Sequence, residues 1–186
     1  MVRYEIDVAG TRAHTFAITL RIDTPAPEQL LSLPVWIPGS YLVREFARHL
    51  SALTAEQAGA ALPAHQLDKA TWAVSCAPGE PLVVRYRVYA FDTSVRAAFL
   101  DASRGFFNGT GVCLRVHGRE AEAHALAIVG LPAGWDVATT LDPHGGGSAH
   151  EFAAADYDAL VDHPVELGRF WRGSFSAAGV PHEFVV

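Results

Sequence analysis

The chain has 186 residues, a length that allows one domain with its own hydrophobic core. Half of the residues are hydrophobic and 18% are charged, a composition that excludes a disordered chain. Acidic residues outnumber basic ones by 20 to 14, and the formal charge of −6 argues against nucleic acid or an anionic membrane surface as a partner. We find no run of about 18 apolar residues, so no transmembrane helix is expected.

The dominant hydrophobic period along the chain is two, which is typical of half-buried β-strands. Apolar and polar positions alternate over residues 14–22, and residues 81–90 repeat the pattern. Glycine- and proline-rich turns separate the strands and predict a mainly β fold, an antiparallel sandwich or open barrel. The predicted strands, in chain order, are 3–8, 14–22, 30–36, 49–57, 71–76, 81–90, 95–100, 111–116, 123–129, 135–140, 150–153, 166–171 and 182–186.

Two short segments predict helices. Residues 41–48 follow Ser40, a good N-cap residue, and residues 156–162 carry acids in their first turn and end before Pro164. Neither segment is long enough to organise a core.

The sequence contains no complete catalytic or metal-binding motif. A zinc-binding H-E-x-x-H helix fails at 150–154 and at 182–186, where Ala154 and Val186 replace the second histidine. Phosphate-binding loops and the G-x-S-x-G motif are also missing. Cys76 and Cys113 are too few for a disulfide scaffold, which favours two buried thiols, with a single optional disulfide as the alternative. We therefore predict no catalytic residue and no metal site within this chain.

Five motifs, however, are more specific than ordinary strand chemistry requires. In chain order they are W-I-P-G-S-Y at 36–41, R-E-F-A at 44–47, D-T-S-V-R at 92–96, F-F-N-G-T at 106–110 and D-Y-D-A-L-V-D-H-P-V-E-L-G at 156–168. Together they resemble the N-terminal domain of the glycyl aminopeptidases, metallopeptidase family 61, over nearly the whole chain.

This resemblance implies a fold and a domain context. The fold is a saddle-like antiparallel sheet similar to the first domain of aminopeptidase N, with one or two short helices, in a single domain over residues 1–186. In the family, this domain precedes a thermolysin-like catalytic domain and a PDZ domain. We therefore expect residues 1–186 to be a piece of a longer protein that was cut after the apolar, strand-like segment 181–186.

The resemblance also implies an activity for the longer protein. It would be a zinc aminopeptidase that acts on peptides with small N-terminal residues, glycine or alanine, and holds its zinc in the catalytic domain. The present chain would carry no cofactor and would be inactive alone. Its partners would be its own catalytic domain and the peptide substrate. No signal peptide is visible in MVRYEIDV, which favours a cytoplasmic location.

The analogy with aminopeptidase N assigns a substrate-binding loop to Asn108, Gly109 and Thr110. Asn108 offers an amide carbonyl to the substrate's ammonium group, and Gly109 lets the backbone approach closely. The alternative is a β-turn between two strands, since Asn-Gly is a strong hairpin signal, and both interpretations can hold together.

Further residues are candidates for contact with the catalytic domain. These interdomain candidates are Tyr41, Arg44, Arg96, Asp162 and Glu166. For Tyr41 the alternative is packing beside Trp36 as part of the core.

An alternative function remains open at this point. The chain could be a self-contained β-sandwich that binds a peptide or a glycan in a groove lined by Trp72, Tyr89, Trp135 and Trp171.

Overall fold

The computed structural model of the protein describes residues 1–37, 40–145 and 150–186. Two α-helices occur in these ranges, α1 (Gly109–Val112) and α2 (Tyr157–Asp162), with 3-10 helices at Thr11–Ala13 and Phe46–His49. No helix in the described ranges has the length and apolar composition needed to cross a bilayer.

Strands make up most of the fold. In chain order they are β1 (Val2–Asp7), β2 (Thr15–Ile22), β3 (Glu28–Ser32), β4 (Leu50–Gln57), β5 (Ala60–Leu62), β6 (Ala64–Gln66), β7 (Thr71–Ser75), β8 (Leu82–Tyr89), β9 (Ala98–Leu100), β10 (Arg104–Phe107), β11 (Arg115–Val116), β12 (His124–Val129), β13 (Asp136–Thr139), β14 (Asp142–Pro143), β15 (Glu151–Ala154), β16 (Val165–Gly168), β17 (Arg172–Ala177) and β18 (Val180–Val185).

One large sheet and two smaller sheets enclose the core. The large sheet has the order β14-β15-β12-β1-β2-β8-β4-β5, and the smaller ones are β13-β16-β10-β9 and β11-β3-β7-β6. All strand pairs in the described ranges are antiparallel except β1 with β12. The mainly β, antiparallel fold predicted from the period of two is therefore confirmed.

Strand alternation sends one face of the large sheet into the core. In β2, Phe16, Ile18 and Leu20 are buried while the residues between them face outward. Full burial of one such side chain contributes about 1.5–3 kcal/mol relative to its exposure. Phe16 also meets Phe107 of β10 edge to face, with ring centroids 5.4 Å apart, which joins the large sheet to a smaller one.

The predicted helix at 41–48 is wrong. Only Phe46–His49 is helical, as a 3-10 turn, and Ser40 does not cap a helix. The Ser40 hydroxyl instead donates to the Leu42 carbonyl and accepts from Nε of Arg44, while Pro38 and Gly39 lie outside the described residues. A short isolated helix is marginal in water, and Tyr41 and Leu42 lack a surface to pack against.

The predicted helix at 156–162 is confirmed as α2. Asp156 is its N-cap, and a side-chain oxygen of Asp156 accepts from the Ala159 N–H at 2.7 Å. The predicted strand at 111–116 is wrong in its first half, because α1 extends to Val112 and only Arg115 and Val116 pair with another strand, as β11.

Both cysteines are free thiols. Cys113 is buried, and burial raises the pKa of its thiol to about 12, so this group stays neutral. Cys76 is half-buried, and burial also raises its pKa. The preferred sequence interpretation, two thiols without a disulfide, is confirmed.

The last two strands, β17 and β18, form a hairpin that pairs with no other strand in the described ranges. Phe175, Val180 and Phe184 are each more than half exposed, and Val186 is also exposed. This hairpin therefore presents apolar side chains to solvent.

Candidate functional site

The F-F-N-G-T motif forms the end of β10 and the start of α1. Asn108 has extended backbone angles at the N-cap position, but its side chain does not cap the helix. Its amide nitrogen Nδ2 instead donates to the carbonyl oxygen of Val95. The amide oxygen Oδ1 receives no hydrogen bond from the described residues, so it is free to accept one from a ligand. The predicted β-turn is wrong, because a helix follows Asn108.

Three buried tyrosines hold the chain that leaves α1. Consecutive carbonyl groups each accept a hydrogen bond from a tyrosine hydroxyl of a different element: Val112 from Tyr86 of β8, Cys113 from Tyr157 of α2, and Leu114 from Tyr4 of β1. Burial raises the pKa of all three hydroxyls well above the usual value, so they remain protonated donors. The position of α1, and with it that of Asn108, is thereby tied to three separate elements.

Gly109 and Thr110 are buried behind Asn108. A Cβ atom on Gly109 would lie 3.0 Å from Cα of Val161 in α2, so glycine is needed here for packing between the two helices. Thr110 is 5% exposed, and its hydroxyl has no hydrogen-bond partner among the described residues. Of the three predicted substrate-binding residues, Asn108 is therefore the one with accessible side-chain surface.

A cleft of about 340 Å³ lies beside this motif. Its walls come from the segment 43–49, the end of β8 and the segment 92–98, and the buried Gly111 of α1 also contributes to its lining. Three arginines line it, Arg44, Arg48 and Arg96, and we refer to it as the arginine cleft. Asn108 is connected to it through Val95, which lies next to Arg96 in the chain.

The cleft is electropositive in an acidic protein. Its carboxylates belong to Glu45 and Asp92, but Glu45 pairs with Lys69 at 3.1 Å. His49 accepts a hydrogen bond from Nε of Arg48. Burial, followed by the nearby Arg48 charge, lowers the pKa of His49 below 6.5, which favours the neutral ring. With a neutral His49, the three arginines and two carboxylates leave the cleft with a formal net charge of +1.

An exposed apolar surface adjoins the cleft. Tyr41 is fully exposed and Trp36 is 53% exposed, so the expectation that both belong to the core is wrong. The indole nitrogen of Trp36 donates to the Ser40 carbonyl, which holds the ring on its own loop. Together the exposed residues of this loop form what we call the loop patch: Val35, Trp36, Tyr41, Leu42 and Val43.

The five interdomain candidates do not form one surface. Arg44 and Arg96 meet at the arginine cleft, and Tyr41 lies on the loop that leads into it. Asp162 is exposed at the end of α2. Glu166, in β16, lines a separate pocket that includes Arg104, and burial raises the pKa of its carboxyl group.

Sequence reasoning missed His49 and Gly111 as residues of the cleft, although Asp92 belongs to the D-T-S-V-R motif. The segments 43–49 and 92–98 are more than forty positions apart and come together next to the pairing of β4 with β8, so no local pattern shows that they share a cleft. Within the described ranges, no three histidine, cysteine, aspartate or glutamate side chains form a group that could hold a metal ion.

Several solved structures of aminopeptidases and metallopeptidases contain a part with the same architecture. An aminopeptidase N family protein from Idiomarina loihiensis is 40% identical to the chain and superposes with a TM-score of 0.93, over 100% of this chain and 32% of that one. The chain thus spans about a third of the length of that protein. It has the fold of an aminopeptidase N-terminal domain.

More distant structures share the fold alone. Legionella pneumophila aminopeptidase A in complex with aspartic acid gives a TM-score of 0.54 at 10% identity, over 99% of this chain and 23% of that one. A variant of an M1 zinc metallopeptidase from Deinococcus radiodurans, bound to a Tyr-Ser-Ala substrate, gives a TM-score of 0.52 at 10% identity. The match covers 99% of this chain and 45% of that one. A comparison with curated protein sequences gave no match.

The family follows from the sequence itself. The family model described as the peptidase M61 N-terminal domain matches residues 3–169. The chain belongs to this family, and the family predicted from the five motifs is confirmed.

Proposed function

We propose that this chain is the substrate-side N-terminal domain of a zinc aminopeptidase that removes small residues, glycine or alanine, from peptide N-termini. Asn108 carries the proposal. Its Nδ2 group is held by the Val95 carbonyl, while Oδ1 accepts no hydrogen bond from the described residues and can accept one from a substrate ammonium group. Val95 lies between Ser94 and Arg96, which line the arginine cleft. The preference for small residues rests on the resemblance to the glycyl aminopeptidases.

In this proposal the hydrolytic chemistry belongs to a catalytic domain elsewhere in the full-length protein. The described residues of this chain do not offer a ligand set for zinc, so the metal would be held by that domain. Support comes from the M61 family membership and from the length of the Idiomarina protein, of which the chain covers 32%. The chain alone would then not hydrolyse peptides, and a PDZ domain would follow as in the glycyl aminopeptidases.

The contact with the catalytic domain would involve the loop patch and the interdomain candidates. An apolar surface with charged residues at its border is typical of a protein interface. Tyr41 would be the apolar anchor, and Arg44 and Arg96 would lie where the two domains meet around the substrate. Asp162 and Glu166 would provide polar contacts at the edges.

Within the F-F-N-G-T motif, the roles would differ. Asn108 would contact the substrate, whereas Gly109 and Thr110, which are buried, would position Asn108 through the packing of α1 on α2.

The test is a kinetic comparison in the full-length protein. Asn108→Ala should raise the KM for a tripeptide that begins with glycine by about tenfold, because one hydrogen bond to a charged group is lost. The control Gln66→Ala changes an exposed amide on β6 and should leave the kinetics unchanged. Unaltered kinetics in the Asn108 variant would contradict the proposed contact, and a full-length protein without aminopeptidase activity would contradict the proposed function.

The alternative of a self-contained binding module has less support. Trp72 is buried at 6% exposure, whereas Tyr89 lines the arginine cleft and Trp171 lies next to the terminal hairpin. The aromatic residues considered for one groove therefore lie in different parts of the fold.

A further inference from the structure

The three arginines of the arginine cleft have unused hydrogen-bonding capacity. Nε of Arg44 donates to the Ser40 hydroxyl at 3.0 Å, and Nε of Arg48 donates to His49 at 3.0 Å. The terminal guanidinium nitrogens of both residues have no hydrogen-bond or ion-pair partner in the described part of the chain. The Arg96 side chain has none there at all, since only its backbone N–H is bonded, to Ser94.

This arrangement differs from that of most other arginines in the protein. Arg85, Arg115 and Arg172 each form an ion pair with a carboxylate within 3 Å. At the cleft, the two carboxylates are already engaged, because Glu45 pairs with Lys69 and Asp92 accepts from the Ser94 N–H. The cavity therefore has three guanidinium groups but two carboxylates, and neither carboxylate is within ion-pair distance of these arginines in the described part of the chain.

The size and walls of the cleft suit a small anionic group on a peptide. Its volume of about 340 Å³ is at the lower end of the range for small-molecule sites, roughly 300–1,000 Å³. Phe46, Val88 and Ala98 supply apolar wall next to the guanidinium groups, which strengthens electrostatic attraction by excluding water. A planar guanidinium binds a carboxylate through two parallel hydrogen bonds.

We propose that the arginine cleft binds a carboxylate of a short peptide and so selects substrates that carry this group. The inference rests on the proposed function, since it takes Asn108 as the contact for the peptide's ammonium group. A peptide of two or three residues in extended form spans about 7–10 Å. An acceptor for the ammonium group and arginines for the carboxylate would thus favour peptides whose length matches the separation of the two sites.

The carboxylate has two possible sources, the peptide C-terminus and an acidic side chain. Three substrates separate them in the full-length protein: Gly-Gly-Gly, its C-terminal amide, and Gly-Asp-Gly amide. If the C-terminus is the ligand, Gly-Gly-Gly should have a KM about tenfold below that of its amide, as expected for one charge-assisted interaction. If the acidic side chain is the ligand, Gly-Asp-Gly amide should show the low KM instead.

Arginine variants assign the effect to this cleft. Arg44→Gln with Arg96→Gln should remove the difference in KM between acid and amide, while Arg44→Lys should keep part of it, because charge remains and bidentate geometry is lost. The control Arg12→Gln with Arg169→Gln removes the same two charges at exposed sites outside the cleft and should preserve the difference. A carboxylate preference that survives in the double variant would overturn the inference.

A binding measurement keeps this inference separate from the proposed function. N-acetyl-Gly-Gly-Gly has a carboxylate but no free ammonium group, so calorimetric titration with it reports on the cleft without turnover. Binding that weakens about tenfold in the double variant supports the cleft even if no peptide is hydrolysed. Hydrolysis without any discrimination between acid and amide would support the proposed function and refute the carboxylate site. Inorganic phosphate that binds more tightly than the acetylated peptide would also refute it.

Discussion

The backbone N–H of Leu114 donates a hydrogen bond to the hydroxyl oxygen of Tyr86 at 3.2 Å, although 28 positions separate the two residues. The same hydroxyl donates to the Val112 carbonyl at 2.7 Å, so it joins both backbone groups where the chain leaves α1. All of these groups are buried, and water does not replace a lost partner there. Tyr86 thus completes the hydrogen bonding of a segment that lacks regular secondary structure.

Tyr86→Phe should therefore lower the free energy of unfolding by about 1–3 kcal/mol, because it leaves a buried N–H and a buried carbonyl without partners. Urea denaturation measures the change. Tyr89→Phe, on the same strand, removes a hydroxyl that is bonded to no described residue from a half-exposed ring and should have little effect. Equal stability of the two variants would show that the Tyr86 hydroxyl does not support α1.

This network also shows which part of the fold a local sequence pattern does not predict. The period of two located β1, β2, β8 and β12 to within about two residues, because each has one face in the core and its pattern is local. The segment 111–116 was predicted as a strand from its apolar residues. Its actual structure depends on hydroxyls from β1, β8 and α2, which no local pattern reveals.

The candidate site was predictable only in part. The motifs pointed to Asn108, Arg44 and Arg96, and the structure brings these three to one region. The loop around Tyr41 was predicted as a helix with a core contact, because apolar residues beside a good N-cap usually have both. Here they form the exposed loop patch, a property that depends on which surfaces remain uncovered.

Gly109 and Gly111 both lie in α1, but only Gly109 packs too closely against its neighbours to leave room for a Cβ atom. Gly109→Ala should destabilise the protein by about 1–3 kcal/mol, because the new Cβ would press on backbone atoms of Val161 and Leu160. Gly111→Ala is the matched control, since its Cβ would lie 3.9 Å from Phe46, an ordinary contact. Thermal unfolding of both variants tests the difference, and a Gly109 variant as stable as the Gly111 variant would contradict the close packing of α1 on α2.

His124 should make stability depend on pH. It is 1% exposed and packs between Tyr4 and Tyr157, and its Nε2 atom has no partner among the described residues. Burial lowers the pKa of this histidine below 6.5, while the Glu122 carbonyl and nearby carboxylates oppose the shift. The unfolded chain therefore takes up a proton that the folded protein resists.

The free energy of unfolding should consequently be unaffected by His124 well above pH 6.5 and should fall as the pH drops below that value. Urea denaturation at about pH 7.5 and about pH 5.5 measures the loss. His124→Phe keeps an aromatic ring between the tyrosines and should show a smaller loss, while His65→Phe, at an exposed site, should behave as the wild type. A wild-type pH dependence in the His124 variant would exclude this residue as the cause.

Arg172 connects the terminal hairpin to the rest of the fold. Its guanidinium donates to Asp136 at 2.8 Å and to the Val137 carbonyl at 2.9 Å, both in β13, and to Glu183 of β18 at 2.7 Å. In the described ranges, the hairpin residues 172–185 make no other hydrogen bond to the body of the domain. A two-stranded hairpin has little stability alone, so this contact should hold it in place.

Arg172→Ala should therefore speed amide hydrogen exchange throughout β17 and β18 while leaving exchange in β2 and β8 unchanged, because those strands lie inside the large sheet. Arg169→Ala is the control, since Arg169 is also an exposed arginine but bonds only the Ala133 carbonyl outside the hairpin. Hydrogen exchange followed by mass spectrometry resolves the two regions. Hairpin amides that stay as protected as those of β2 after the Arg172 substitution would mean that apolar contacts, and not this guanidinium, hold the hairpin on the domain.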